Sequence, residues 1–254
     1  MIIAVYSPRG GVGKTTTAVT TAAVLARDGH SVLVVDLEAD LNASISLGVP
    51  ADDGPTIAEV LLHEARPGDA VHAVSGFETL HVMPGSRRLA QIDARLRNVR
   101  QPERRLADAI RPLVPQFDYV IVDAPGGYSL LPVSVTGVAE YLVVPVLAEY
   151  LSLESLAQFL RWYRDERDAR RATAQIAGIL LTMVDYRRQA TREIVDIIRT
   201  HNRRGVFRTE IPQDQRVPEA PSHGLPLPAY ARSRAATAYG RFAAELVKRI
   251  AARS

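Results

Sequence analysis

Apolar residues in this chain come in short dense blocks. Residues 2–6, 32–36, 80–84, 119–123, 142–146 and 176–182 are rich in β-branched and aliphatic side chains at consecutive positions. A strand buried on both faces has this pattern, whereas a half-exposed strand alternates. Between the blocks, residues 14–28, 87–113, 154–171 and 191–201 carry apolar positions at helical spacing. Strand–helix alternation predicts right-handed βαβ units around a parallel sheet. The expected fold is therefore a single α/β domain over residues 1–254, with a doubly wound, mainly parallel sheet flanked by helices. Ala235, Tyr239, Phe242, Leu246 and Ile250, three and four apart, predict a final helix docked on the core, with a membrane-binding face as the alternative. Pro-rich residues 212–228 are expected to form a surface loop before it.

Composition narrows the chemistry. The 254 residues are 47% hydrophobic and 23% charged, which excludes a disordered or collagenous chain. The chain has no cysteine, so disulfides, thiolate metal sites and a cysteine nucleophile are excluded. The longest apolar runs fall short of the ~18–20 residues of a membrane span. With no basic, cleavable leader at the amino end, a cytoplasmic protein is expected. Formal net charge is +3. Only Lys14 and Lys248 are lysines against 29 arginines, so a lysine kept in this background marks a specific use. Neither paired histidines at metal-ligand spacing nor a G-x-S-x-G elbow occurs.

The segment Ser7-Pro8-Arg9-Gly10-Gly11-Val12-Gly13-Lys14-Thr15-Thr16 follows a predicted strand and opens a predicted helix, the context of a phosphate-binding loop. Gly10, Gly11, Val12, Gly13 and Thr16 belong to a backbone that curls its N–H groups inward around phosphate oxygens. The helix N-terminus adds partial positive charge. Lys14 would reach the β- and γ-phosphates, and the Thr15 hydroxyl would ligate Mg²⁺. Asp123 ends a buried apolar strand, where a lone carboxylate is costly without a cation. It is expected to hold Mg²⁺ through water, with Asp36 as a second metal candidate.

The loop departs from the strict Walker A pattern at Pro8 and resembles the deviant form Lys-Gly-Gly-x-Gly-Lys-Thr. With Val35-Asp36-Leu37-Glu38 through Asn42-Ala43-Ser44, Ile121-Val122-Asp123-Ala124-Pro125, Pro145-Val146 with Glu149-Tyr150, Leu180 to Asp185, and Glu219 to Gly224, the chain resembles the ParA/Soj-type partition ATPases of the ParA/MinD group. The likeness runs nearly end to end. It implies an ATPase that binds ATP or ADP with Mg²⁺, forms an ATP sandwich homodimer and binds DNA without sequence preference. It also implies release by a ParB-type centromere-binding partner, nucleoid association and no stable membrane association.

Two departures touch the chemistry. Arg9 stands where the family has a signature lysine that reaches across the dimer; it keeps the charge but brings a planar fork. In switch I, Glu38 takes the place of the aspartate that orients the attacking water, one methylene longer, and Asp40 is a substitute carboxylate. Slow hydrolysis with intact ATP binding is expected, since misplacement by ~1 Å costs ~100-fold. Met183, Asp185 and Pro212 are expected to flank the base. Arg187 and Arg216 match basic DNA-contacting positions of the family, and Arg188, Arg203, Arg204, Arg232 and Arg234 could extend the patch. The arginines between 87 and 111 are expected on an exposed helix face with Asp93, Glu103 and Asp108 as acid partners. Three alternatives remain open: a MinD-like membrane ATPase, a dethiobiotin-synthetase-like ligase, and a nucleotide switch with negligible turnover.

Overall fold

The computed structural model describes residues 1–49, 54–203 and 205–253. Seven strands form one sheet: β1 (Ile2–Val5), β2 (Val32–Asp36), β3 (His72–Ala73), β4 (Leu80–Met83), β5 (Tyr119–Asp123), β6 (Tyr141–Leu147) and β7 (Gln175–Thr182). Their order is β3-β4-β2-β5-β1-β6-β7. All pairs are parallel except the β3–β4 edge, a two-residue antiparallel pairing that the sequence pattern did not reveal. The five longest helices among the described residues are α1 (Lys14–Arg27), α2 (Leu130–Val138), α3 (Tyr150–Asp168), α4 (Gln189–His201) and α5 (Arg234–Ala251). The doubly wound α/β architecture expected from the sequence is the one observed.

Strand pleating divides the core. Ile2, Ala4 and Tyr6 face a layer containing Leu131, Val135, Phe159 and Ile194 from α2, α3 and α4. Ile3 and Val5 face the other layer, with Ala18, Ala22 and Leu25 from α1 and Tyr239, Phe242 and Leu246 from α5. Both faces of β1 are thus buried, which is why its sequence shows no alternation. The stripe Ala235, Tyr239, Phe242, Leu246 and Ile250 is buried against this core. Among the described residues no helix is long and apolar enough to cross a membrane.

Two expectations are corrected. Residues 87–113 do not form one helix; they break into helices Ile92–Leu96 and Arg105–Ile110 separated by 3₁₀ turns. Pro102, Pro112 and Pro115 withhold backbone donors there, and Gln101 adopts a left-handed conformation. The acid partners differ accordingly: Arg88 bonds Glu59 and Glu64, at 2.5 and 2.7 Å, while Asp93 accepts from the Leu130 amide. Residues 212–228 are also more ordered than a plain surface loop. They hold the short helices Arg216–Glu219 and Leu227–Tyr230 and a 3₁₀ turn, Ala220–His223, and they bury Ala220 and Leu227.

Candidate nucleotide site

Strand order places the site. β1 lies between β5 and β6, so the loop leaving its carboxyl end emerges at the centre of the sheet's C-terminal edge, where open α/β sheets bind ligands. Gly11 (φ 72°) and Gly13 (φ 85°) take left-handed conformations that side chains disfavour, which lets the loop curl into the first turn of α1. Gly13 caps α1 with no side-chain hydrogen bond, so the helix N-terminus presents its amides without a competing acceptor. Thr182 moors the loop: its hydroxyl, 2% exposed, donates to the Val12 carbonyl at 2.9 Å and lies 3.3 Å from the Val146 carbonyl.

Lys14 is 7% exposed. Its Nζ lies 3.7 Å from Glu38 Oε1 and donates to the Arg9 carbonyl at 3.4 Å. Burial pushes the Glu38 carboxyl up, while Lys14 acts against that shift. Arg9 lies along its own chain, with Nη1 donating to Ser152 Oγ at 2.8 Å and Nη2 3.6 Å from Glu149 Oε2. Asp40 is exposed beyond this cluster.

Asp36 and Asp123 are neighbours across the β2–β5 ladder, and both are fully buried. Their surroundings differ. Asp36 accepts from the Glu38 and Ser44 amides at 3.0 and 2.9 Å and from the Ser44 hydroxyl at 2.7 Å, which pins the segment after β2. Neither oxygen of Asp123 has a hydrogen-bond partner of ordinary geometry. Burial holds the Asp123 carboxyl well above the usual carboxylate range, with Asp36 and Glu38 adding to the shift and Thr15 and Lys14 opposing it. An orphaned carboxylate near a threonine hydroxyl, beneath a phosphate-type loop, is an all-oxygen donor set suited to a hard divalent cation such as Mg²⁺.

A cleft of about 440 Å³ opens beside the loop, lined by Gly13, Thr16, Met183, Pro212, Gln215 and Tyr239 among others. Tyr239 is buried and shares a 3.1 Å hydrogen bond with Thr17. Met183 and Pro212 stand in the wall as expected. Asp185 lines a neighbouring cleft instead, where its carboxylate takes the Arg187 guanidinium at 2.8 Å from two nitrogens. Of the other basic candidates, Arg188 approaches Asp185 at 3.9 Å, Arg216 pairs with Glu219 at 3.6 Å, Arg234 lines the second cleft, and Arg203 and Arg232 are exposed. Arg204 lies outside the described residues.

Several site residues escaped the sequence reading. A Cβ on Gly85 would lie 2.8 Å from the Glu38 carbonyl oxygen and 3.0 Å from Asp36 Cγ. A Cβ on Gly126 would lie 3.2 Å from the Pro8 carbonyl oxygen and 3.6 Å from Lys14 Nζ. Their sequence signals, Pro84-Gly85 and Pro125-Gly126-Gly127, read only as turns.

The AAA domain family profile matches residues 1–176. Sporulation initiation inhibitor protein Soj of Bacillus subtilis is 36% identical over 253 residues, spanning 99% of this chain and 98% of that protein. Chromosome-partitioning ATPase Soj of Thermus thermophilus is 38% identical over 249 residues, spanning 98% and 96%. The chain belongs to the ParA/Soj family of partition ATPases. A structural neighbour with a different printed activity is cobyrinic acid a,c-diamide synthase from Mycobacterium smegmatis, solved with ADP and magnesium. It matches at TM-score 0.85 and 28% identity, over 100% of this chain and 96% of that one. The fold therefore does not settle the chemistry; the near-complete alignment to partition ATPases sets the family.

Proposed function

We propose that this chain is an ATP-driven DNA-partition switch, acting as one ATPase domain over residues 1–254. The observation that carries the reading is the orphaned Asp123 carboxylate beneath an uncapped helix N-terminus and a buried Lys14. The amides of Gly10 to Thr16 and the Lys14 ammonium bind the phosphates of ATP or ADP. Thr15 and Asp123 would hold Mg²⁺, which neutralises phosphate charge when bound, with Asp36 beside them. Met183 and Pro212 flank the base.

Glu38 takes the water-orienting role, and Asp40 is its exposed substitute. In the structure Glu38 is engaged with Lys14, so phosphate binding has to draw Lys14 away before the carboxylate can orient water. This supports slow turnover. Arg9 swings from Ser152 and Glu149 to a second copy in an ATP sandwich dimer. The dimer binds DNA through Arg187 and Arg216, with Arg188, Arg203, Arg232 and Arg234 extending the patch. A ParB-type partner stimulates hydrolysis and ends the bound state, and the cargo is a chromosome or plasmid associated with the nucleoid. The apolar stripe of α5 is spent on the core, which favours this reading over a membrane-positioning one.

Binding to duplex DNA of arbitrary sequence, compared between ADP and a slowly hydrolysed ATP analogue across a salt series, tests the proposal. Binding confined to the analogue and falling steeply with salt is expected. Equal or absent binding in both states removes the DNA switch and leaves the nucleotide site standing.

A further inference from the structure

A second cleft, of about 460 Å³, shares Pro212 and Gln213 with the base cleft. Asp185, Tyr186, Arg187, Arg192 and Arg234 line it, so three guanidinium groups stand against one carboxylate. Arg192, absent from the sequence-based set, donates from Nε to the Tyr186 carbonyl at 2.8 Å, which holds its stem at the cleft. Arg234 opens α5 and is exposed. Arg187 is 87% exposed, yet its Nε and Nη2 both bond Asp185, whose side chain is only 13% exposed. Arg188 approaches the same carboxylate at 3.9 Å. The acid is thus the fixed member of the pair, and the arginine is the free-standing one.

We propose that this cleft is the chain's groove for nucleic-acid phosphates, with Arg192 as a contact residue and Asp185 as a built-in counterion. Asp185 occupies the Arg187 fork until a phosphodiester displaces it. The inference rests on the DNA reading above and assigns that reading a site and a control. A phosphodiester presents two acceptor oxygens to a guanidinium fork much as a carboxylate does, so the exchange conserves hydrogen bonds. An exposed pair of this kind changes an equilibrium by a factor of about one to five. Asp185 therefore trims affinity without blocking it. Two copies in a dimer compound the factor, to at most about 25-fold. The result is a site that grips phosphate weakly enough to let go.

The test is fluorescence anisotropy with a labelled duplex of arbitrary sequence, at a saturating concentration of a slowly hydrolysed ATP analogue, over a salt series. Asp185→Asn removes the charge and keeps an oxygen that can accept from the Arg187 amide, as Asp185 Oδ1 does at 3.2 Å. Asp185→Asn is expected to bind about 3- to 25-fold tighter, with the log–log salt slope steeper by about 0.9 for each phosphate newly engaged. Arg192→Ala is expected to bind more weakly, with a slope shallower by a similar step. The double variant Asp185→Asn/Arg187→Ala is expected to match Arg187→Ala, because the gain runs through that fork. Equal or weaker binding by Asp185→Asn, an unchanged slope in Arg192→Ala, or a gain that survives in the double variant would each overturn the groove while leaving the DNA reading intact. If the wild type and every variant fail to bind duplex, the DNA reading itself fails and the groove falls with it.

Discussion

Replacing Asp123 by asparagine is expected to stabilise the protein without metal and weaken it with metal. The carboxylate is fully buried, has no donor on either oxygen, and stands beside the Asp36 carboxylate in register. An unsatisfied buried polar group costs on the order of 1–3 kcal/mol, and a charged one costs more. Asparagine keeps the shape, removes the like-charge repulsion and offers Asp36 an amide donor. In a chelator the variant should therefore gain on the order of 1–3 kcal/mol, which for a chain of this size raises Tm by roughly 2–12 °C. With ATP and Mg²⁺ at a hundred times Kd, the wild type gains about 2.7 kcal/mol, and the variant should lose most of that gain. The order of the two melting curves should then invert. The pH dependence has a definite sign. Burial raises the Asp123 pKa in the folded state, so above the unfolded value the native protein binds the proton more tightly than the unfolded chain does. This contribution is fully present below the unfolded pKa of 3.8 and is lost as pH rises through the raised folded value. Melting curves in chelator should show that decline in the wild type and a flatter profile in Asp123→Asn. A variant that melts below the wild type in chelator would refute the reasoning.

Four other substitutions probe the same edge of the sheet. Glu38→Ala should retain ATP binding, measured by titration calorimetry, and hydrolyse ATP on the order of 100-fold more slowly; faster hydrolysis than the wild type would sink its water-orienting role. Gly85→Ala forces a Cβ to within 2.8 Å of the Glu38 carbonyl oxygen, so it should cost about 1–3 kcal/mol in denaturant melts and slow hydrolysis more than it weakens ATP binding. Thr182→Val keeps the volume but strips the Val12 carbonyl of its 2.9 Å donor, with an expected loss of about 1–2 kcal/mol and a matching rise in the Kd for ADP. Arg9→Ala should abolish ATP-dependent dimerisation by light scattering; dimers as stable as those of the wild type would rule out its crossing to a second copy.

The sequence made legible whatever depends on side-chain character at consecutive positions. Six strands were visible because both faces of β1, β2 and β5 are buried, and the phosphate loop was visible because Gly-Lys-Thr sits between a strand and a helix. The β3 edge was not, because two residues carry no pattern. The breaks between 87 and 116 hid beneath a helical apolar period that the prolines override. Asp185 was expected at the base because it follows Met183 by two positions. The turn after β7 instead carries its carboxylate into the neighbouring cleft, where Arg187 meets it.

What stayed hidden at the site is mostly backbone meeting backbone. Gly48 (φ 68°) and Gly224 (φ 62°) both take left-handed conformations, and a Cβ on Gly48 would lie 2.8 Å from the Gly224 carbonyl oxygen. Each glycine reads in sequence as a loop residue. Together they seat the end of the short helix after β2, Asn42–Ser46, against the Ala220–His223 turn, whose Pro221 lines the base cleft. On its other side that helix is held by the Ser44 hydroxyl, which donates to Asp36 and accepts from the Gly85 amide at 3.0 Å. The segment carrying Glu38 is therefore fixed between a carboxylate next to the metal candidate and a turn that walls the base. A ligand that moves either support has to move Glu38 as well, since neither glycine contact leaves room for a side chain to take up the strain. Base, phosphate and hydrolytic carboxylate are thus mechanically joined through positions whose residue type reveals only a turn.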